Sequence, residues 1–391
     1  MRQMKRMFSM LLAGILCVSM MTGLTGCGTA KDNTPVVMTV DGEDVQSSEL
    51  AAYIVYNMMY YENYFGMDIN YMSDPDVFQG IKDGCKDQVV QYRALRKLAK
   101  DEGVSLSKES KQTLEENKNS NRESLGSKTS SFARWIKYSV KGETDPFVEY
   151  LNSYGYTEKL YDQNCETMQL REDLINSYSD EITERFNNTY LHAKSILISD
   201  SDESGNLLTG DAFTEKQKQA QEILDKVKNG EDFDQLWKDN NSDTAQPDDG
   251  YYFTEGDMVD EYYQGVKDVD VDGYNSELIY HEGYGWFIVH RLELKEDALT
   301  DTAACLSNSG NENGTATIKD TIGRALISDK LDEVTEAMEV TTTEEYDNIT
   351  AMNVNTYLPF AADAFVSGSG SAAGSAAANT AETGSASGSA A

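Results

Sequence analysis

Histidine is nearly missing from this sequence. The three present, at positions 192, 281 and 290 of 391, form no constellation with a serine or cysteine of the kind that builds a nucleophilic triad. A hydrolase therefore has nothing to stand on. Cysteine is also scarce. Cys17, Cys27, Cys85, Cys165 and Cys305 show no metal-like spacing, so neither a metal site nor any other cofactor is expected. Positive charge is in short supply as well, with 33 Lys and Arg against 67 Asp and Glu and a net charge of -34. Such acidity repels phosphates, which excludes nucleic acid and anionic lipid as partners and favours solubility. It also suits basic or partly unfolded clients, although an acidic surface is first of all a solvated one. No apolar run is long enough to span a bilayer comfortably, which takes about 20 residues.

The longest apolar run, Met7 to Met21, follows Arg2, Lys5 and Arg6 and leads into Leu24-Thr-Gly-Cys27. The series resembles the signal peptide and lipobox of bacterial lipoproteins. The resemblance implies cleavage after residue 26, lipidation of Cys27 and a lipid anchor in the membrane, with the chain on its extracytoplasmic face. Of the remaining cysteines, a disulfide between Cys85 and Cys165 and three unpaired thiols are both open readings. Helical positions for two of them favour the thiols.

Residues 35–45 read as a strand and turn, after which Ser47 or Ser48 caps a helix carrying Leu50, Ile54, Val55 and Met58. Asp74-Pro75 starts a second helix to about Asp101, with Val89, Leu95 and Leu98 as its buried stripe. Residues 108–128 are so polar that they read as either an exposed helix or a mobile arm. A helical region with interruptions then runs from Thr144 to Tyr190. The aromatics Tyr53, Tyr56, Tyr60, Tyr61, Tyr64 and Phe65 suit core or an exposed client-binding surface; the run from Tyr60 to Phe65 is too dense for one buried face, so partial exposure is expected there.

The chain is organised around residues 192–294. His192 to Ile198 reads as a strand, Ala220 to Phe233 as an amphipathic helix stopped by Gly230, and the following residues as a polar loop to Gly250. Tyr251 to Met258 brings a short aromatic strand. Glu277 to His281 and Trp286 to Leu292 close the unit as a hairpin. Beyond it, residues 298–315 read as a loop and Ile318 to Met338 as a helix with Ile322, Leu326, Leu331, Val334 and Met338 near one face. Residues 367–391 are Ser, Gly and Ala with almost nothing to bury, and are expected to be disordered.

In order, Ala193-Lys-Ser-Ile-Leu, Asn229-Gly-Glu-Asp-Phe, Ser242-Asp-Thr, Phe253-Thr-Glu-Gly-Asp-Met258 and Gly285-Trp-Phe-Ile-Val resemble a parvulin-type peptidyl-prolyl isomerase domain. The setting resembles the foldase lipoproteins related to PrsA and SurA. The resemblance implies an α+β chain: a mainly helical chaperone-like domain over 35–191 behind a tether at 27–34, and an inserted small parvulin-like domain at 192–294. A segment at 295–366 then returns its helix to the first domain.

Isomerising an X-Pro bond needs no covalent chemistry, only relief of a rotation barrier of roughly 20 kcal/mol. By resemblance, Asp243 stands at the family's Cys/Asp position and Met258 and Tyr262 in its proline pocket; read as residues alone, Asp243 equally suits a turn cap and Met258 and Tyr262 plain core. Ser195 occupies the place of its first histidine, and Phe287, or Trp286 if the alignment shifts by one, that of the second. His192 and His290 sit three residues from those places, which on a strand points to the opposite face; of the three only His281, just before a turn, is placed where it could lean toward the pocket, and no histidine obviously replaces the pair. Two functions follow. One is a membrane-anchored extracytoplasmic folding factor acting on unfolded or secreted polypeptides, its isomerase activity weak or lost. The other is a non-enzymatic envelope lipoprotein that binds a specific ligand or partner.

Overall fold

The structure is a computed structural model that describes residues 34–127, 145–308 and 314–359. The signal-like segment, Cys27 with its expected lipid and the Ser/Gly/Ala tail lie outside the described residues. Seven strands are described: β1 Val36–Val40, β2 Glu43–Gln46, β3 Leu191–Ser199, β4 Tyr251–Phe253, β5 Ile279–His281, β6 Gly285–Leu292 and β7 Val340–Thr342. The described helices are α1 Ser47–Phe65, α2 Ile69–Met72, α3 Pro75–Asp101, α4 Lys108–Gly126, α5 Pro146–Ser153, α6 Glu158–Ser177, α7 Ser179–Thr189, α8 Gly210–Lys228, α9 Phe233–Asn240, α10 Asp260–Lys267, α11 Ile318–Ala337 and α12 Glu344–Asn348. The chain is mainly helical with small antiparallel sheets. It divides into two compact units, one ending at Leu174 and resuming at Lys330, the other Ile175–Asp329.

In the first unit, Asp41 and Gly42, both at positive φ, turn β1 back into β2. β7 adds antiparallel to the other edge of β1, giving the order β2-β1-β7, so residues 340–342 close a sheet begun 300 residues earlier. Against it, α1 buries Leu50, Tyr53 and Ile54. α3 starts where Asp74 accepts the Asp76 and Val77 N–H groups and Pro75 needs no donor. Its Phe78, Cys85 and Val89 enter the same core, and Leu95 and Leu98 are buried farther along. Buried Lys82 on α3 donates to the carbonyls of Tyr346 and Ile349, fixing α12 and the turn after it. The polar α4 is a helix because it too has a burial to make: Lys118 reaches Asp162 at 2.7 Å and Glu158 at 2.9 Å on α6. Among the described residues no disulfide joins Cys85, Cys165 or Cys305.

The second unit is built on a four-stranded antiparallel sheet ordered β4-β3-β6-β5. One face carries Ile196, Ile198, Trp286 and Ile288 against α8 and α9; the other carries Ala193, Phe287 and Val289 against α10. In the first unit Ser47 opens α1 and Gln46 holds the cap position without a side-chain bond, so the expected serine cap is not made; three further sequence expectations need correction. The amphipathic helix begins at Gly210 and ends at Lys228; its opening turns are charged and offer little periodicity. The expected polar loop before Gly250 contains α9, which restarts when Asp232 accepts the Gln235 N–H and then buries Phe233 and Leu236. In α11 the buried positions are Ile318, Ile322, Gly323 and Ile327. Gly323 sets that face, since a side chain there would collide with Ile175, and Leu326, Leu331 and Val334 are left half-buried.

Candidate functional site

β3 is paired by β4 only as far as Ala193. Past that point its outer edge is met by side chains from the loop after α9. Gln246 Oε1 accepts the Ser195 N–H at 3.1 Å, and Asn241 Oδ1 accepts the Leu197 N–H at 2.9 Å. The Ser242 N–H returns a bond to the Leu197 carbonyl. The loop can lie this close because Gly250, at φ +91, passes where any Cβ would strike the Ala193 carbonyl.

Gln246 is 6 % exposed and fully engaged with its surroundings. Its Oε1 also accepts from Trp237 Nε1 at 2.9 Å, and its Nε2 donates to Ser195 Oγ at 3.1 Å. The Tyr262 hydroxyl donates to the same Ser195 oxygen at 3.3 Å. Above this set lie Phe287, whose ring centroid is 5.0 Å from that of Tyr262, and Phe253 at 5.4 Å; half-buried Met258 borders the cluster. Ser195, Tyr262, Phe287 and Met258 thus share one face of the sheet. Burial pushes the Tyr262 phenol up to about 12, with a hydrogen bond to Ser195 opposing and the charge of Asp243 adding to the rise. Tyr262 is therefore a neutral donor throughout the working pH range.

Asp243 makes no hydrogen bond to Ser195. It accepts the Ala245 N–H at 3.0 Å and the Tyr251 hydroxyl at 3.1 Å, which stiffens the loop. His281 lies on edge strand β5, 3.9 Å from Glu261, with its Nδ1 buried and unpartnered among the described residues. Its ring reaches Tyr284, and Tyr284 in turn reaches Phe287. His192 is stacked on Tyr252 at 3.8 Å and held by the carbonyls of Asp249 and Glu293. His290 stacks on Tyr274 instead. Burial lowers its pKa, while Asp272 and Asp234 work against that shift. No imidazole touches the Ser195 set. Gln246, Asn241 and Trp237, which organise the site, carried no sequence signal: their roles depend on where β4 stops pairing. Among the described residues no cluster could hold a metal ion, and no helix is long and apolar enough to cross a membrane.

The first unit offers a different kind of surface. Tyr53 and Tyr56 are core, but the end of α1 and the short α2 leave Tyr64 70 %, Phe65 53 %, Ile69 46 % and Tyr71 59 % exposed. Tyr60 and Tyr64 stack at 4.6 Å, with Phe65 edge-on to Tyr60 at 5.8 Å. Contiguous exposed apolar groups of this kind mark interaction sites.

Residues 1–121 match the SurA-like N-terminal domain, and residues 180–295 match the PPIC-type PPIase domain. No curated protein matches the chain. Among solved structures, the parvulin of Nitrosopumilus maritimus is 27% identical over 27% of this chain and 98% of its own, with a TM-score of 0.21. PrsA from Bacillus cereus is 16% identical over 84% of this chain and 100% of its own, at 0.29. A SurA-like chaperone structure from Campylobacter jejuni is 14% identical over 77% and 94%, at 0.21. The two family matches, rather than these likenesses, identify the domains. The chain joins a SurA-like N-terminal domain to a PPIC-type parvulin domain.

Proposed function

We propose that this protein is an extracytoplasmic folding factor. It is anchored by lipid on Cys27, holds unfolded or secreted polypeptides on its helical unit, and isomerises X-Pro bonds weakly or not at all. The observation that carries the holding role is the aromatic end of α1 and α2, left in water by an otherwise well-packed unit. The pairing of the two domain families supports the same reading.

The weak-turnover part rests on chemistry. Ser195, Gln246 and Tyr262 supply hydroxyl and amide hydrogen bonds, and Phe287 supplies only a surface. Losing positioned polar groups commonly costs about 10²–10³ in rate, so some turnover from an apolar pocket at Met258, Tyr262 and Phe287 is compatible with the reading. The test pairs two assays on the mature protein carrying Cys27→Ser: suppression of aggregation of a heat-denatured client by light scattering, and isomerisation of a proline peptide. Suppression with slow or no isomerisation is expected. Vigorous isomerisation abolished by Asp243→Ala or His281→Ala would overturn the reading of the site, and absence of suppression would overturn the holding role. Lipid anchoring is checked by membrane fractionation with a radiolabelled fatty acid. Cys27→Ala should lose the label; a Cys27→Ala product that is cleaved and still membrane-bound would refute the anchor.

A further inference from the structure

The aromatic face at the end of α1 has a second property, its charge. From Asp32 to Ile81 the sequence contains no Lys, Arg or His. Within that stretch Glu62, Asp68, Asp74 and Asp76 are interleaved with Tyr60, Tyr64, Phe65 and Tyr71. Asp68 and Asp74 cap α2 and α3, accepting backbone N–H groups. Among the described residues none of these four carboxylates is in ion-pair contact with a cation. The rings are in the same position. Elsewhere in the fold aromatic faces are covered from within: Lys82 lies over Tyr346, Arg122 over Phe147 and Lys194 over Trp237. Tyr64 and Tyr71 have no such cation over them among the described residues; Tyr64 stacks one face on Tyr60 yet is 70 % exposed, and Tyr71 is 59 % exposed. A ring face attracts a cation by its quadrupole, and carboxylates along the same stretch of chain add a field of the same sense.

We infer that this face selects cationic segments of unfolded polypeptide, gripping Lys and Arg side chains over the tyrosine rings, and is not a general apolar sink. The inference rests on the holding role proposed above and names the chemistry of what is held. Two or three such cation–ring contacts amount to roughly tenfold in affinity over an uncharged segment of equal apolar content.

The experiment uses the full mature chain with Cys27→Ser and three labelled, unstructured peptides read by fluorescence anisotropy. The peptides share length and aromatic and aliphatic content, and carry Lys and Arg, Ser, or Glu at the remaining positions. The cationic peptide should bind roughly tenfold tighter than the Ser peptide and the Glu peptide weakest, with the spread shrinking at high salt. Tyr64→Ser with Tyr71→Ser should remove most binding of the cationic peptide. Glu62→Gln with Asp76→Asn, which leaves both capping aspartates in place, should narrow the preference for the cationic peptide over the Ser peptide. Equal affinities for the three peptides, or a preference that survives Tyr64→Ser with Tyr71→Ser, would overturn the inference. Should the Ser peptide bind and depend on those tyrosines while charge makes no difference, the holding role stands and the cationic preference falls. Should no peptide bind and no aggregation be suppressed, the holding role itself has failed. Two other occupants would also overturn the inference. One is a second copy of the chain, seen as a concentration-dependent dimer lost in Tyr64→Ser. The other is the chain's own basic segment, seen as tighter peptide binding when Arg134, Lys137 and Lys141 are changed to Glu.

Discussion

Replacing Gln246 by leucine keeps the volume and removes every hydrogen bond the side chain makes. In the native site Gln246 Oε1 receives the Ser195 N–H and Trp237 Nε1, and Nε2 supports Ser195 Oγ. After the change Ser195 Oγ still has Tyr262, but the Ser195 N–H, inside a strand and covered by the loop, has no acceptor. Leaving a buried donor unmade costs about 1–3 kcal/mol. The Trp237 indole is half-buried and recovers part of its loss from water. The sum is about 2–4 kcal/mol, and for a unit of this size each kcal/mol moves the midpoint by about 2–4 °C. Calorimetry of the mature protein should therefore show the transition of the parvulin-like unit falling by about 4–16 °C in Gln246→Leu. The quenching of buried Trp286 identifies which transition it is. Tyr262→Phe removes a single bond and should cost only about 0.5–1.5 kcal/mol. A Gln246→Leu midpoint as small as that of Tyr262→Phe would refute the claim that the glutamine completes the strand edge.

Lys118 is almost wholly buried between Asp162 and Glu158, so Lys118→Met should cost the first unit about 2–4 kcal/mol at neutral pH in urea unfolding. Burial already raises Asp162, with Lys118 pulling it down. Without the lysine its folded pKa rises further above the unfolded one, so the loss should shrink as the pH falls and the carboxyl protonates. Asp234 is held below the usual carboxylate range chiefly by its hydrogen bond from Lys194. Its contribution is thus present above the unfolded pKa and lost as the pH drops through the folded one, and Asp234→Asn should flatten the acid limb of the midpoint–pH curve for the second unit. Removing residues 175–329 and joining the flanks should leave a cooperatively unfolding protein, because β1, β7 and the shared core all lie in what remains; a non-cooperative melt would count against that.

Much of the helical architecture could be read from the chain because its signals were local. Asp74-Pro75 announces a helix start, and Val89, Leu95 and Leu98 repeat at helical spacing. The dense run from Tyr60 to Phe65 had too many rings for one buried face, and its end is indeed exposed. Local signals also misled. Gly230 ends a helix, but Asp232 caps another two residues later, and a reading that stops at the glycine takes α9 for loop. In α11 the true face is set by the approach of Ile175 to Gly323, which no periodicity within the helix reveals. The site divides along the same line. Strand alternation places Ser195 and Phe287 on one face, whereas Gln246 and Asn241 matter only because β4 stops at Ala193 and leaves strand donors to be met. That is a property of register, not of any motif.

The side-chain amides along β3 have a counterpart on β6, where Asn275 accepts the Val289 N–H at 2.6 Å and its own N–H bonds the Val289 carbonyl. Open strand edges recruit other strands, and an unfolded polypeptide is the most willing recruit there is. A protein that keeps such chains close risks becoming the template on which they aggregate. Here the stretches of β3 and β6 that lack a neighbouring strand are met by glutamine and asparagine side chains, so along them a visiting chain finds those strand donors already taken. What it can hold onto is side chains, whose grip is reversible and imposes no extended conformation, and a client released from such a grip leaves with its backbone uncommitted.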